Sequence, residues 1–226
     1  MNEFQDDYRM HRREEVVGFL PKNYKRVLEI GCGSAIFRKN LDTNIEYWGV
    51  EPDSASIELA KESLVNQQDR FINGFYDEVC EGIPDKHFDL IVCNDVIEHI
   101  YDHNGFIESL KTKLAPDGVI AGSIPNVRYL DNLKGLLLNK DWKYQDFGVL
   151  DRTHVRFFTE KSLKRTFADL EFEIEDMRGI NSIVNSNSHA KRWIKSIVYW
   201  PFFLMLGGDT RYLQFGFRLK PKASKD

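Results

Sequence analysis

Two carboxylates and two imidazoles stand where this chain could hold a cationic ligand or move a proton. Glu29 lies in Val27-Leu-Glu-Ile-Gly-Cys-Gly33, an apolar run that ends in a glycine turn. Glu51 follows 18 residues after Gly33, in Trp48-Gly-Val-Glu-Pro-Asp53. His99 closes Asn94-Asp-Val-Ile-Glu-His99, and His154 sits in Asp151-Arg-Thr-His-Val-Arg156. An acid at the end of a second strand accepts both hydroxyls of a ribose. A histidine that is neutral near pH 7 is suited to taking a proton from a hydroxyl.

The glycine turn narrows the ligand. Dinucleotide binding needs a third glycine for close helix packing, and that position here is Ile36. No Gly-Lys-Ser/Thr follows, so a Walker-type phosphate site is excluded as well. Glu29 would repel a pyrophosphate and favour a cationic amino-acid tail. S-adenosylmethionine carries an adenosine, a sulfonium and an ammonium and no phosphate, so the charge pattern suits it better than NAD. The plainer alternative is a bare strand-to-helix turn, and the offsets of Glu29 and Glu51 count against it.

These residues need a frame. Strand-like runs RVLEIGCG, EYWGVEPD, RFINGFYD, FDLIVCND and GVIAGSIPN alternate with AIFRKNL, SIELAKESL and FIESLKTKL, which have apolar residues at helical spacing. Near-continuous apolar strands separated by helices predict an α/β, Rossmann-like, doubly wound and mostly parallel sheet. FEIEDMRGI and RYLQFGFRLK complete seven strands, with an antiparallel last strand. The helix after Asp102 is expected to stop at Ala115-Pro116-Asp117-Gly118, followed by a tight turn, and Thr159 starts another. The expected organisation is a single domain over 1–226. It has an N-terminal helical segment at 1–23, an insert at 127–158 after strand five, and a helical segment at 180–210 between the last two strands.

Bulk properties set limits. The net charge of −4 offers no field for polyanions, so nucleic acid is not an expected partner. Cys32, Cys80 and Cys93 are an odd number without metal-type spacing, which reads as free thiols in a reducing compartment. A charged N-terminus without a leader-like run points to the cytoplasm. Lys191, Arg192 and Lys195 stand beside Trp193, Trp200 and Phe202 in a stretch too short to span a bilayer. Residues 191–206 could lie in a membrane interface, placing the protein peripherally at the inner face, or pack as a helix or dimer contact.

E-x-G-x-G, the acid after strand two and N-D-V-I-E-H-I after strand four resemble the class I S-adenosylmethionine-dependent methyltransferases over roughly 24–126. That resemblance implies that Glu29, Gly31, Cys32 and Gly33 line the methionine part of the donor, and that Glu51 holds its ribose. Pro52 and Asp53 would border the adenine, and Asn94 would close the site from strand four. Many relatives carry Asp after the glycine of strand three; Asn73-Gly74-Phe75 stands here, leaving Phe75 to stack. The Asp95-Val-Ile-Glu98-His99 segment also resembles E-x-x-E-H of ubiquinone-pathway O-methyltransferases, where such residues are associated with a divalent metal. Asp95, Glu98 and His99 are spaced to share one face of a first helical turn. In the simpler alternative Asp95 caps the helix, His99 packs, and no metal is held.

The stretch from Ser123 to Thr159 resembles methyltransferases of bacterial surface-polysaccharide (O-antigen or capsule) biosynthesis. It implies a sugar, nucleotide-sugar or lipid-linked glycan acceptor, with His154 near the acceptor hydroxyl and Asp151 or another acid fixing its tautomer. Tyr129, Trp142 and Tyr144 would suit carbohydrate stacking or core packing equally. The expected activity is O-methylation of a glycan hydroxyl, with His154, His99 and Asp95 as candidate catalytic residues. A phenol or small-metabolite acceptor, a non-catalytic adenosine-binding module and a nicotinamide oxidoreductase are the alternatives. DNA amino-methylation is not expected, because Asn94-Asp95-Val96-Ile97 lacks the Asn/Asp-Pro-Pro-aromatic turn.

Overall fold

The computed structural model describes residues 12–185 and 188–223. Seven strands form one sheet: β1 (Arg26–Ile30), β2 (Glu46–Glu51), β3 (Arg70–Asn73), β4 (Phe88–Asn94), β5 (Leu114–Pro125), β6 (Phe172–Ser182) and β7 (Tyr212–Pro221). Their order is β3-β2-β1-β4-β5-β7-β6. The five strands from β3 to β5 run parallel, and β7 is antiparallel to both β5 and β6. The helices, in chain order, are α1 (Glu14–Val17), α2 (Ser54–Glu62), α3 (Tyr76–Val79), α4 (His103–Lys113), α5 (Leu130–Leu138), α6 (Glu160–Asp169) and α7 (His189–Leu206).

Successive strand residues point to opposite faces, and both faces are buried. Leu28, Val50, Ile91 and Ile120 join the α4 and α6 residues Phe106, Leu110, Leu163 and Phe167 in one core. Val27, Tyr47, Val92 and Ala121 form the other with Val16, Phe37 and Leu41. Strand order reverses beside β1, so the β1 and β4 carboxyl ends flank a crevice where ligands of such sheets sit.

Three local expectations change. AIFRKNL is only a 3₁₀ turn, Phe37–Asn40, rather than a helix. Its Arg38 turns inward to pair with Asp69 and donates to the Asp42 carbonyl at 2.8 Å, and these bonds hold a tight turn. The expected turn at 115–118 is absorbed into β5, which starts at Leu114 directly after α4 and takes up the irregularity at Asp117, φ 66°. Of the N-terminal segment, residues 1–11 lie outside the described residues, and the remainder contributes one helical turn, α1.

That N-terminal remainder is nevertheless well anchored. Phe19 is fully buried against β7, where a Cβ on Gly216 would lie 2.2 Å from its ring. Arg178 stacks on the same ring, and Arg218 donates to the Leu20 carbonyl at 3.0 Å. Glycine at 216 is therefore required by close approach. The insert after β5 holds α5 and an irregular chain that returns to the sheet at Phe158. Asp102 caps α4 by accepting from the Gly105 amide, and Thr159 caps α6 by accepting from the Ser162 amide. Cys32, Cys80 and Cys93 are free thiols, with Cys32 and Cys93 buried.

Candidate functional site

The turn after β1 is shaped by backbone requirements. Gly31 has φ 70° and Gly33 φ 51°, both in the left-handed region. A Cβ on Gly31 would fall 2.8 Å from Val96 Cγ2, whereas one on Gly33 would meet nothing within 4 Å, so the turn leaves open space above Gly33. The Gly31 and Cys32 amides donate to the Val50 carbonyl, fastening the turn to β2. At the end of β2, Glu51 Oε2 accepts from the Gly33 amide and Oε1 from the Asp53 amide, each at 3.0 Å. The carboxylate is thus held in place, and each oxygen keeps lone-pair capacity for a hydroxyl.

Neighbouring residues also have structural tasks in this loop. Asp53 caps α2, accepting from the Ser56 amide and hydroxyl. Asn73 donates to the Glu51 and Pro52 carbonyls at 2.9 and 3.0 Å, so it braces the loop that carries Glu51. Phe75, beyond Gly74, is 60% exposed, an open aromatic face beside that loop. Asn94, at the carboxyl end of β4, has both amide atoms buried without a partner. An unsatisfied buried amide costs about 1–3 kcal/mol, which a polar ligand group would remove.

Glu29 departs from its expected state. It is buried beneath the turn, accepts from Tyr47 Oη at 2.5 Å, and burial pushes its pKa up to about 8. At neutral pH it is a neutral carboxyl rather than a ready carboxylate. An ammonium placed beside it would favour the charged form again.

A second group of residues lines a cavity of about 300 Å³, among them Asp95, Glu98, His99, His154, Val149 and Gln214. Asp95 has φ 52° and is held from three directions. Ser123 Oγ and Gln214 Nε2 donate to it at 2.8 and 2.7 Å, and Arg13 Nη1 forms an ion pair with it. Asp95 neither caps a helix nor shares a turn with Glu98 and His99, which lie in the separate 3₁₀ turn Ile97–His99. It ties the N-terminal segment and β7 to the end of β4.

His154 is buried, and its Nδ1 donates to the Val149 carbonyl at 3.0 Å. That bond fixes the tautomer, a task the sequence assigned to an acid such as Asp151. Asp151 instead accepts from the Thr153 amide and hydroxyl. Nε2 of His154 therefore carries the lone pair and faces Glu98 Oε1 at 3.8 Å. Burial lowers the His154 pKa, leaving the ring neutral. Burial also holds the Glu98 carboxyl protonated, with Asp95 adding to the effect, and its two oxygens have no hydrogen-bond partner. The Glu98 carbonyl accepts from the Val155 and Arg156 amides, pinning the histidine loop onto the strand-four junction. His99 is exposed, with its ring centroid 4.7 Å from that of His154.

Ligand atoms of Glu98, His99 and His154 lie within 4.8 Å of one another. This set could take a divalent cation if Glu98 gave up its proton; it replaces the expected Asp95-Glu98-His99 grouping. Arg13, Val149 and Gln214 are site residues that sequence reading missed, because nothing in their local sequence marks them.

Comparison with known proteins resolves the family. A model described as a methyltransferase domain matches residues 1–176. The chain belongs to that methyltransferase-domain family. It is 28% identical over 173 residues to a malonyl-[acyl-carrier protein] O-methyltransferase of Ilyobacter polytropus, covering 73% of this chain and 62% of that one. It is 29% identical to a ubiquinone biosynthesis O-methyltransferase of Psychrobacter cryohalolentis, covering 70% and 62%. The chain thus spans about three fifths of the length of these curated relatives. Among solved structures, an S-adenosylmethionine-dependent methyltransferase of Archaeoglobus fulgidus superposes with TM-score 0.60 at 19% identity, covering 97% and 94%. One of Mesorhizobium loti gives TM-score 0.62 at 13% identity, covering 91% and 95%; both likenesses concern the fold. The methyltransferase domain implies S-adenosylmethionine as its donor. The open turn at Gly33, the preset Glu51 and the unpartnered Asn94 fit that molecule.

Proposed function

We propose that the chain transfers the methyl group of S-adenosylmethionine to a hydroxyl oxygen of a small-molecule acceptor bound in the cavity between His99, His154 and Gln214. The donor supplies an electrophilic methyl on a sulfonium, so the protein has to align the acceptor, exclude water and take its proton. Gly31, Cys32 and Gly33, with Glu51 and Asn94, would hold the donor. The observation that carries the reading is the neutral His154 whose Nδ1–H is committed to Val149, leaving Nε2 to accept a proton inside the cavity. Glu98, uncharged and 3.8 Å away, makes no hydrogen bond that would occupy that lone pair. The two relatives above are both O-methyltransferases by name, which supports oxygen as the acceptor atom.

A glycan hydroxyl is the second reading. A neighbouring cavity of about 520 Å³ carries Tyr129, Phe147, Asn132, Asn139 and Gln145, an aromatic and amide mixture suited to sugars, and it shares Gly148, Val149 and Leu213 with the first. The test is a labelled-donor assay with phenolic and carboxylic small molecules in one arm and nucleotide sugars in the other. His154→Ala should lower turnover about 10²-fold or more with donor affinity unchanged. Near-normal turnover would reject His154 as the base and shift attention to His99 and a metal, which EDTA would then reveal.

A further inference from the structure

Helix α7 presents its apolar residues outward. Trp193, Ile197, Trp200 and Leu204 fall at i, i+4, i+7 and i+11, one continuous stripe, and are 68%, 52%, 56% and 69% exposed. Ile194, Val198 and Met205 widen it, each more than half exposed, while Phe203 packs inward under Arg211. Lys134 of α5 lies over the Tyr199 ring, so the two helices are neighbours, and Leu137 and Leu138 at the end of α5 are exposed as well. A contiguous apolar face of this kind marks an interaction site rather than ordinary surface.

We propose that this face docks on an anionic lipid bilayer, with α7 lying in the interface. Three features choose that occupant. Lys191, Arg192 and Lys195 fall in the first two turns, and the 18 residues contain no Asp or Glu, in a chain whose net charge is −4. Anionic headgroups complement that local charge. Two tryptophans on the stripe have rings suited to the boundary between headgroups and acyl chains. A second copy is a poorer match, because an isologous contact sets α7 against α7 and supplies no carboxylate from the facing helix. Among the described residues no helix is long and apolar enough to cross a membrane, so the helix lies on the surface rather than spanning it. The cavity beside α5 neighbours the docked face: Asp131, Lys134 and Gly135 line it, and Lys134 reaches Tyr199 of α7.

The test is sedimentation with phosphatidylcholine vesicles, plain or containing about 30% phosphatidylglycerol, alongside tryptophan emission. The full chain should bind only the anionic vesicles, with a blue shift, and be released by about 0.5 M salt. Lys191→Glu/Lys195→Glu and Ile197→Glu/Trp200→Glu should each weaken binding at least about tenfold. Calorimetric titration with S-adenosylhomocysteine, unchanged in both variants, shows that they are folded and separates this result from any failure of the methyl-transfer reading. No binding to anionic vesicles, or binding that neither pair of substitutions weakens, overturns the proposal. So does a dimer in light scattering that Ile197→Glu/Trp200→Glu dissolves, since a second copy would then own the face.

Discussion

Glu51 accepts two backbone amides, so under the proposed donor placement its carboxylate would already be aimed at the ribose. Charge-assisted bonds of this kind contribute about 1.5–3 kcal/mol each. Glu51→Ala should weaken S-adenosylhomocysteine at least about tenfold, and it should also loosen the Gly33 turn that the same oxygen holds. Titration calorimetry measures the first effect; unchanged affinity would move the donor elsewhere. Its place beside the glycine turn was legible in sequence because the signal is local: a strand, an acid and a fixed offset from two glycines. Asp95 was not. Its role depends on Arg13, 82 residues before it, and Gln214, 119 residues after it, and no local pattern announces either. The tautomer of His154 was misread for a related reason. Its partner is the carbonyl of Val149, and a backbone oxygen leaves no trace in residue type.

Periodicity located the seven strands and α4, which bury a face with a regular repeat, and the cap signal at Thr159 located α6. It failed at AIFRKNL, where helical spacing is present and a charged side chain decides the outcome. Arg38 Nε donates to both Asp69 oxygens at 3.2 Å and its Nη2 donates at 3.1 Å, with both side chains buried. Removing one member of such a pair strands a buried charge, at a cost of about 3–5 kcal/mol. Arg38→Met should lower stability by an amount of that order in urea melts. Arg38→Met/Asp69→Leu should recover much of the loss, because no orphaned charge remains. If the double variant is no more stable than the single one, packing rather than charge sets the turn.

The whole molecule carries a buried acid whose proton affinity is tied to folding. In the unfolded chain Glu29 releases its proton in the ordinary glutamate range, and in the folded chain at about 8. Between those values the native state holds a proton that the unfolded state lacks, so stability falls as pH rises through that window. Thermal melts should therefore decline from about pH 5 to about pH 8, and Glu29→Gln, which can still accept from Tyr47, should decline less. Parallel curves for the two proteins would show that Glu29 is charged in the fold.

The position of β7 has a consequence for how the protein is made. β6 is synthesised before β7 yet pairs with no other strand, and β5 keeps one edge open until β7 fills it. On the ribosome, then, β6 and the outer edge of β5 emerge as unpaired strands and wait for residues 212–221. Such edges are templates for mispairing with other chains. The same late segment brings Gln214 to Asp95 and Leu213 to the cavity wall, so the cavity beside His154 closes in the step that closes the sheet. A nascent chain short of that strand has its glycine turn built and that cavity open on one side.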